Sequence, residues 1–429
     1  MQAVIIVGND QAAEQARFEL VVGGLGLLQR ALRAVQRAGA TSVLIVGPQS
    51  RTKPVVEHDP TLSIPVTWCE HEGPFADSGA ALRAARDAGL LEPTFWLTTA
   101  DRLVSPPLFP KLPVTTDVLV VEDDVDPVGT FVATPAFTER FAAGEPGDLF
   151  GGVRSDDPRH HPGDPKKAVW AVVADASQIP AAMQRLTASL RKPLGREDDG
   201  LVAHFINRPI SIQISRVLVN TFVTPNQITA VGLAFGLLAA ALVASGDWLT
   251  MVLAGLSLQT SSLLDGVDGE LARMRLTMSH SGEWFDTVCD DVINISFMLG
   301  LGIASTTLTG HSIYTTLGII GATTTAITVG FFYREFIRAG VASHNHFKWG
   351  FEKAEKTQKS LLENAFTVFS WIAKRDFYTV LLVTLLVVGL PTMAFVIMFT
   401  GSSLISVGYV IQKLVSRAPK GKLAAHDPT

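Results

Sequence analysis

The sequence predicts a two-part chain: an α/β domain built on a mostly parallel sheet, followed by an all-α bundle of six membrane-spanning helices. Three observations carry this. The 429 residues leave room for two domains. Residues 1 to about 200 mix charges with short β-branched runs, whereas from about residue 210 the chain becomes a series of long apolar segments. The mean hydropathy of +0.30 averages over that divide. Composition also excludes some classes. A net charge of −5 is too small to imply a nucleic-acid partner. The two cysteines, Cys69 and Cys289, fall in different regions and indicate neither a disulfide framework nor a zinc site.

Taken in order, the start MQAVIIVGND lacks a basic leader-like stretch, and residues 3–8 read as a first strand. Helical periodicity follows over 27–38, with strands over 41–47, 64–69 and 94–99 and a helix through 80–87. Alternation of this kind implies a parallel sheet with helices on both faces. Residues 123–159, rich in Gly, Pro and Asp, read as loop, and His160 and His161 as solvated residues of the same polar stretch. Residues 178–190 read as a helix and 191–200 as a charged linker. The domain divisions expected are 1–195, a linker and interfacial helix over 196–226, the membrane bundle over 227–416, and a tail over 417–429.

The interfacial helix is read from Ile210, Ile214, Val217 and Leu218 on one face, with Gln213 and Arg216 elsewhere. Thr224-Pro225-Asn226 then starts the first span, Pro sitting in the first turn as helix starts prefer. Spans are expected near 227–245, 248–265, 282–304, 312–335, 376–390 and 392–414. The fifth is short and is expected to begin earlier, near Trp371. The connections near Gly246 and Leu308 lack Lys and Arg, while residues 334–375 and the tail are basic, which places both termini and the Asp-rich connection on the cytoplasmic side.

That Asp-rich connection, DGVDGELARMRLTMSHSGEWFDTVCD, is the chemical centre. Asp265 and Asp268 are three apart and Asp286 and Asp290 four apart, so on helices each pair shares a face. Four gathered carboxylates require a hard cation, and oxygen ligands suit Mg²⁺ or Mn²⁺. Arg273 supplies a fixed cation for phosphate, and Gly269 and Gly282 allow close backbone approach. Asp286 and Asp290 fall one to two turns inside an apolar helix, where acids are costly and mark a functional cavity. Asp291 points about 100° away from Asp290 and reads as a packing residue. Cys289 reads as a small buried side chain.

Written as D-x-x-D-G-x-x-A-R-x8-G-x-x-x-D-x-x-x-D, the run resembles the signature of the CDP-alcohol phosphotransferases, also called CDP-alcohol phosphatidyltransferases, and matches it at all eight fixed residues. The resemblance implies an integral membrane enzyme that moves a substituted phosphate from a CDP-linked donor to an alcohol, releasing CMP. It implies metal ligands at Asp265, Asp268, Asp286 and Asp290, with Asp290 as general base. It implies CDP contacts at Gly269, Ala272, Arg273, Ser279 and Gly282, and at Pro225 and Asn226, for which a helix-start role reads nearly as well. Arg334, Arg338, Lys374 and Arg375 are acceptor-phosphate candidates, although membrane anchoring explains basic residues there equally well. Partners implied are the donor, an alcohol or sugar-phosphate acceptor and the lipid bilayer. Related enzymes are often homodimers, and helix faces alone leave the oligomeric state open.

Upstream, FWLTTADRLVSPPLF and FVATPAFTERF resemble segments of sugar-phosphate nucleotidyltransferases, so the first domain is expected to be nucleotidyltransferase-like, or Rossmann-like. Active members carry a Gly-rich loop with Arg after the first strand and then a Pro-Lys pair. Here the stretch is VGNDQAAEQARFELVVGGLG, with Gly23, Gly24 and Gly26 late and no Pro-Lys pair. The glycines read as a turn before a helix, Asp101 as a strand-end residue, and the domain as having lost cytidylyl transfer. The wording INRPIS…TPN-IT resembles the subgroup that fuses a cytidylyltransferase domain to the membrane enzyme, of which archaeal makers of di-inositol phosphate phosphate are the model. That implies CDP-inositol as donor and inositol 1-phosphate as acceptor. CDP-diacylglycerol as donor stays open, as do a bifunctional enzyme whose first domain makes the CDP-alcohol and a membrane scaffold that senses nucleotide.

Overall fold

The computed structural model describes residues 1–12, 15–109, 118–123, 126–133, 160–162, 169–191, 200–342 and 375–417. The chain divides into two compact units. The first comprises Met1–Lys192 together with Ser215–Phe222 and Glu270–Thr277; the second comprises Pro193–Ile214, Val223–Gly269 and Met278–Thr429.

In the first unit, seven strands form one sheet: β1 (Gln2–Ile6), β2 (Ser42–Val46), β3 (Val66–Cys69), β4 (Phe95–Thr99), β5 (Val118–Asp123), β6 (Asp126–Ala133) and β7 (His160–Pro162). Their spatial order is β7-β5-β6-β4-β1-β2-β3. The centre is parallel: β1 lies between β2 and β4, with Gln2 beside Ser42 and Phe95, and β2 pairs with β3. Antiparallel pairing enters through β6, which joins β4 to β5, and β5 then pairs in parallel with β7. Among the described residues the helices are α1 (Leu27–Ala38), α2 (Gln49–Glu57), α3 (Ser78–Asp87) and α4 (Ile179–Ala188).

Strand alternation splits the core in two. Ala3, Ile5, Val43 and Ile45 pack with Leu28, Leu32 and Val35 of α1. Val4, Ile6, Leu44 and Val46 pack on the other face with Leu82 and Ala85 of α3. An α/β sheet covered on both faces is therefore present, as the alternating pattern predicts. Two local expectations are corrected. Asp126–Ala133 and His160–Pro162 are strands, not loop. Ladder pairing with β4 and β5 overrides the Pro and Gly content there, with irregular register where β5 meets β6. Gly23 and Gly24, at φ 59° and 76°, do form the expected turn. It joins the two-residue strands Val21–Val22 and Leu25–Gly26 immediately before α1.

The remaining helices are α5 (Arg208–Leu218), α6 (Pro225–Ala244), α7 (Trp248–Met274), α8 (His280–Thr309), α9 (Ile313–Ala339), α10 (Arg375–Val387) and α11 (Pro391–Arg417). Among the described residues, four are long and apolar enough to cross a membrane: α6, α8, α9 and, over Pro391–Ile411, α11. The Asp376–Val387 helix is apolar but short, and the region around Trp371 lies outside the described residues. On α5 Ser211, Ile212 and Ser215 are buried, while Ile210 and Val217 are exposed together with Gln213 and Arg216.

Close helix contact brings the acidic segments of the second unit together. A Cβ at Gly236 of α6 would stand 2.4 Å from Ile293 of α8. One at Gly300 of α8 would stand 2.4 Å from the Ala240 carbonyl of α6. Only glycine lets the two backbones approach this far. Around them Ala239, Val243, Leu258, Phe297 and Leu301 form a buried cluster with α10 and α11 residues such as Leu386 and Phe395.

Candidate metal centre and donor site

Three helices build the site. Asp265 and Asp268 lie on α7, Asp286 and Asp290 on α8, and Thr229 on α6. One carboxylate oxygen from each of Asp265, Asp286 and Asp290 lies within 4.8 Å of the others, and all three residues are partly buried. Around a Mg²⁺ bound at about 2.1 Å, adjacent oxygens stand about 3.0 Å apart and opposite ones about 4.2 Å, so the three carboxylates would draw closer together to share one ion. Asp268 is held differently. It is buried and accepts a short hydrogen bond from the Thr229 hydroxyl. All four carboxylates line one small cavity with Ser261, Cys289 and Ile293, and its free space of about 10 Å³ is that of a single water-sized sphere. The donor set is hard oxygen and anionic, and the residues fit a divalent cation.

The position of each acid follows from helix geometry. At about 100° per residue, Gly269 and Ala272 fall within about 40° of Asp265 around α7, so the face continuing from the acids toward the helix end carries only small side chains. Arg273 follows in the last turn. Ser279 caps α8: its hydroxyl accepts from the Gly282 N–H at 3.0 Å. Thr224 caps α6 in a capping box with Gln227, which places Pro225 and Asn226 in the first turn. The two helix starts meet, since a Cβ at Gly282 would lie 3.4 Å from Asn226 Oδ1 and 3.0 Å from Ser279 Oγ. Thus Asn226, Ser279 and Gly282 come together at two helix N-termini, where backbone N–H groups favour anions.

Other predicted residues are placed as follows. Asp291 accepts from the Tyr333 hydroxyl at 2.7 Å and so packs toward α9. Cys289 is buried and unpaired with any cysteine. Arg334 is exposed on α9. Arg338 stands 3.7 Å from Glu335 one turn away, and Lys413 reaches the same carboxylate at 3.0 Å. Lys374 lies outside the described residues, and only the backbone of Arg375, the first residue of α10, is described. In the first unit, Asp101 is buried at the end of β4, accepts from Thr99 at 2.6 Å and lies 3.5 Å from Arg102. Sequence reading missed Thr229; a hydroxyl one turn inside an apolar helix was its only signal.

Comparison with known proteins bears on this arrangement. Residues 222–393 match the family model described as CDP-alcohol phosphatidyltransferase. A bifunctional IPC transferase and DIPP synthase of Thermococcus kodakarensis is 37% identical over 136 residues, which is 32% of this chain and 30% of that protein. A protein of the same description from Archaeoglobus fulgidus is 36% identical over 130 residues, 30% of this chain and 25% of that one. An archaetidylinositol phosphate synthase of Pyrococcus horikoshii is 30% identical over 100 residues, 23% of this chain and 50% of that protein. The chain thus spans about a third or less of the bifunctional relatives it matches. Among solved structures, HddC from Yersinia pseudotuberculosis covers 43% of this chain and 98% of its own, at 11% identity and a TM-score of 0.31. That score is too low to establish a shared fold. The residues that carry the acids lie within the segment that matches the CDP-alcohol phosphatidyltransferase model, and with its apolar helices the chain is an integral membrane protein.

Proposed function

We propose that the protein is a CDP-alcohol phosphotransferase that moves a substituted phosphate from a CDP-linked donor to an alcohol and releases CMP. The observation that carries this reading is the convergence of Asp265, Asp286 and Asp290 within 4.8 Å, inside the segment that matches the family. A divalent cation held by these carboxylates, with Asp268 beside them, would offset the charge of the donor pyrophosphate and of the leaving CMP. Mg²⁺ is the ion proposed, with Mn²⁺ as its substitute.

Asp290 takes the proton of the acceptor hydroxyl as its oxygen attacks the β-phosphorus. The bond from that phosphorus to the bridging oxygen breaks, and CMP leaves with the oxygen. Gly269 and Ala272 clear the face of α7 for the donor, and Arg273 pairs with its phosphates. The joined helix starts at Asn226, Ser279 and Gly282 offer N–H donors to the same group, with Pro225 setting the first turn of α6. The acceptor phosphate is assigned to Arg334, Arg338, Lys374 and Arg375.

The proposed donors are CDP-inositol or CDP-diacylglycerol, with an inositol-phosphate-type acceptor. The bundle has six spans, with the first domain and the active-site mouth facing the cytoplasm. The distribution of Lys and Arg supports this orientation. A homodimer accords with the resemblance and is testable by crosslinking in membranes. CMP release by the purified full chain with Mg²⁺ is the deciding measurement. CDP-inositol and CDP-diacylglycerol are each paired with inositol 1-phosphate, inositol and glycerol phosphate. Turnover with CDP-inositol alone supports the soluble phosphodiester; turnover with CDP-diacylglycerol alone makes a phospholipid; release with none refutes the reading.

The first domain is proposed to lack cytidylyl transfer. Asp101 is engaged by Thr99 and Arg102, and the loop after β1 is tied down where Asp10 accepts from the Phe75 N–H. Pyrophosphate release from CTP and inositol 1-phosphate by the full chain would overturn this.

A further inference from the structure

The connection between the two acid-bearing helices, α7 and α8, is held by a row of arginines on α1. Arg30, Arg33 and Arg37 are spaced three and four apart and so share one face. Their guanidinium groups donate to three consecutive carbonyls at the end of α7: Met274 at 2.7 Å, Arg275 at 2.8 Å and Leu276 at 2.9 Å. The last carbonyls of a helix have no partner within it, and charged donors are the strongest that can be supplied from outside.

The row is itself braced. Arg30 is buried and also donates to the Val22 and Gly23 carbonyls, and Arg33 makes a paired contact with Asp59 at 2.7 and 2.9 Å. Leu276 is the residue that turns the chain. It has φ 51°, the left-handed region that a non-glycine residue seldom adopts, and its buried side chain lies in the α1 core cluster. From the same segment Arg275 reaches back to the carbonyls of Leu218, Val219 and Thr221. The connection is therefore gripped at three successive residues and turned at an unfavoured angle. Nothing in its own sequence, RMRLT, demands that turn.

We infer that the arginine face of α1 is a positioning device for the donor site: by holding Met274–Leu276 it sets where Ala272 and Arg273 stand in the last turn of α7 and where Ser279 caps α8. This rests on the proposed function, and it gives the α/β domain a task in the membrane reaction that needs no nucleotide chemistry of its own. Arg30, Arg33 and Arg37 are positioning residues, since each acts through backbone carbonyls.

The test uses the full chain in detergent or nanodiscs. Arg37→Ala is the first variant, because Arg37 is only partly buried, whereas Arg30 and Arg33 are buried. Arg37→Lys, which retains the charge and one donor, is the second. Hydrogen exchange is read at Leu276 and Thr277, whose N–H groups bond the Arg273 and Ala272 carbonyls, and donor KM, kcat and Mg²⁺ dependence are measured beside it. Positioning predicts faster exchange there, a donor KM raised about tenfold with an unchanged Mg²⁺ midpoint and melting temperature, and partial rescue by Arg37→Lys. Unchanged exchange, or faster exchange with unchanged KM, overturns it. So does a loss of kcat accompanied by a lower melting temperature and faster exchange throughout the sheet, which marks a structural role. Absence of CMP release from wild type would instead defeat the functional reading, and the exchange arm, needing no substrate, tells the two failures apart.

Discussion

Asp290 is the residue on which the proposed chemistry turns. Asp290→Asn keeps the shape and removes the base, so CMP release should fall by about 10²–10⁴-fold with the protein still folded, as turnover and a melting curve together would establish. Thr229→Val tests the partner that sequence did not reveal: stripping the donor from buried Asp268 should cost about 1–3 kcal/mol and raise the Mg²⁺ midpoint. A different carboxylate reports on the first unit. Burial pushes the Asp59 carboxyl up, but hydrogen bonds from Arg33 and Thr61 outweigh that and hold it below the ordinary carboxylate range. An unfolded Asp titrates near about 3.9. The contribution of Asp59 is therefore complete above that pH and is lost as acid carries the solution down through the lowered folded value. Acid melts should show Asp59→Asn losing less stability than wild type below about pH 4. The four acids, Arg273 and Gly282 were legible because a one-dimensional spacing on helices already implies a shared face. Asp268 bonding to Thr229 was not, because that pairing crosses 39 residues and depends on how α6 lies against α7.

Among the elements, α6 and α8 form the pair that aligns the site. Gly300→Val would drive a side chain into the Ala240 carbonyl and spread the helices. The expected cost is about 1–3 kcal/mol or more, read as a lower melting temperature in detergent together with weakened Mg²⁺ binding. The four long apolar helices were legible, since long apolar runs, with Pro225 and Pro391 at the starts of two of them, admit little else. The expected spans near 248–265 and 376–390, by contrast, are not long and apolar enough among the described residues. Helix ends were less legible. α7 continues to Met274, well past the expected end near 265, because its last turns are polar and receive partners from elsewhere in the chain. The strands β6 and β7 were missed because local composition favoured loop, although β6 pairs with its neighbour β5 and with the more distant β4, and β7 with the distant β5.

At the scale of the whole molecule, membrane orientation is the open prediction. Ser245→Cys and His311→Cys should react with an impermeant thiol reagent from the outer face of intact cells, and a cysteine near the tail only after permeabilisation. Both native cysteines are buried and should stay silent. Labelling of the first two from the cytoplasmic side would reverse the assignment. The sequence by itself determined that an α/β domain with a mostly parallel sheet precedes an apolar helical domain, and which acids share helix faces. Periodicity, hydropathy and motif spacing are properties of adjacent residues, and each constrains local structure directly. Only the tertiary structure decided that three of the four acids converge while the fourth bonds a threonine. It also decided that Glu270–Thr277, inside the motif, belongs with the first unit under the arginines of α1. The last of these depends on guanidinium groups finding carbonyls some 240 residues away, as Arg30 and Arg33 do. A backbone carbonyl has no letter in the sequence, so the pairing that turns Leu276 cannot be read until the chain is folded.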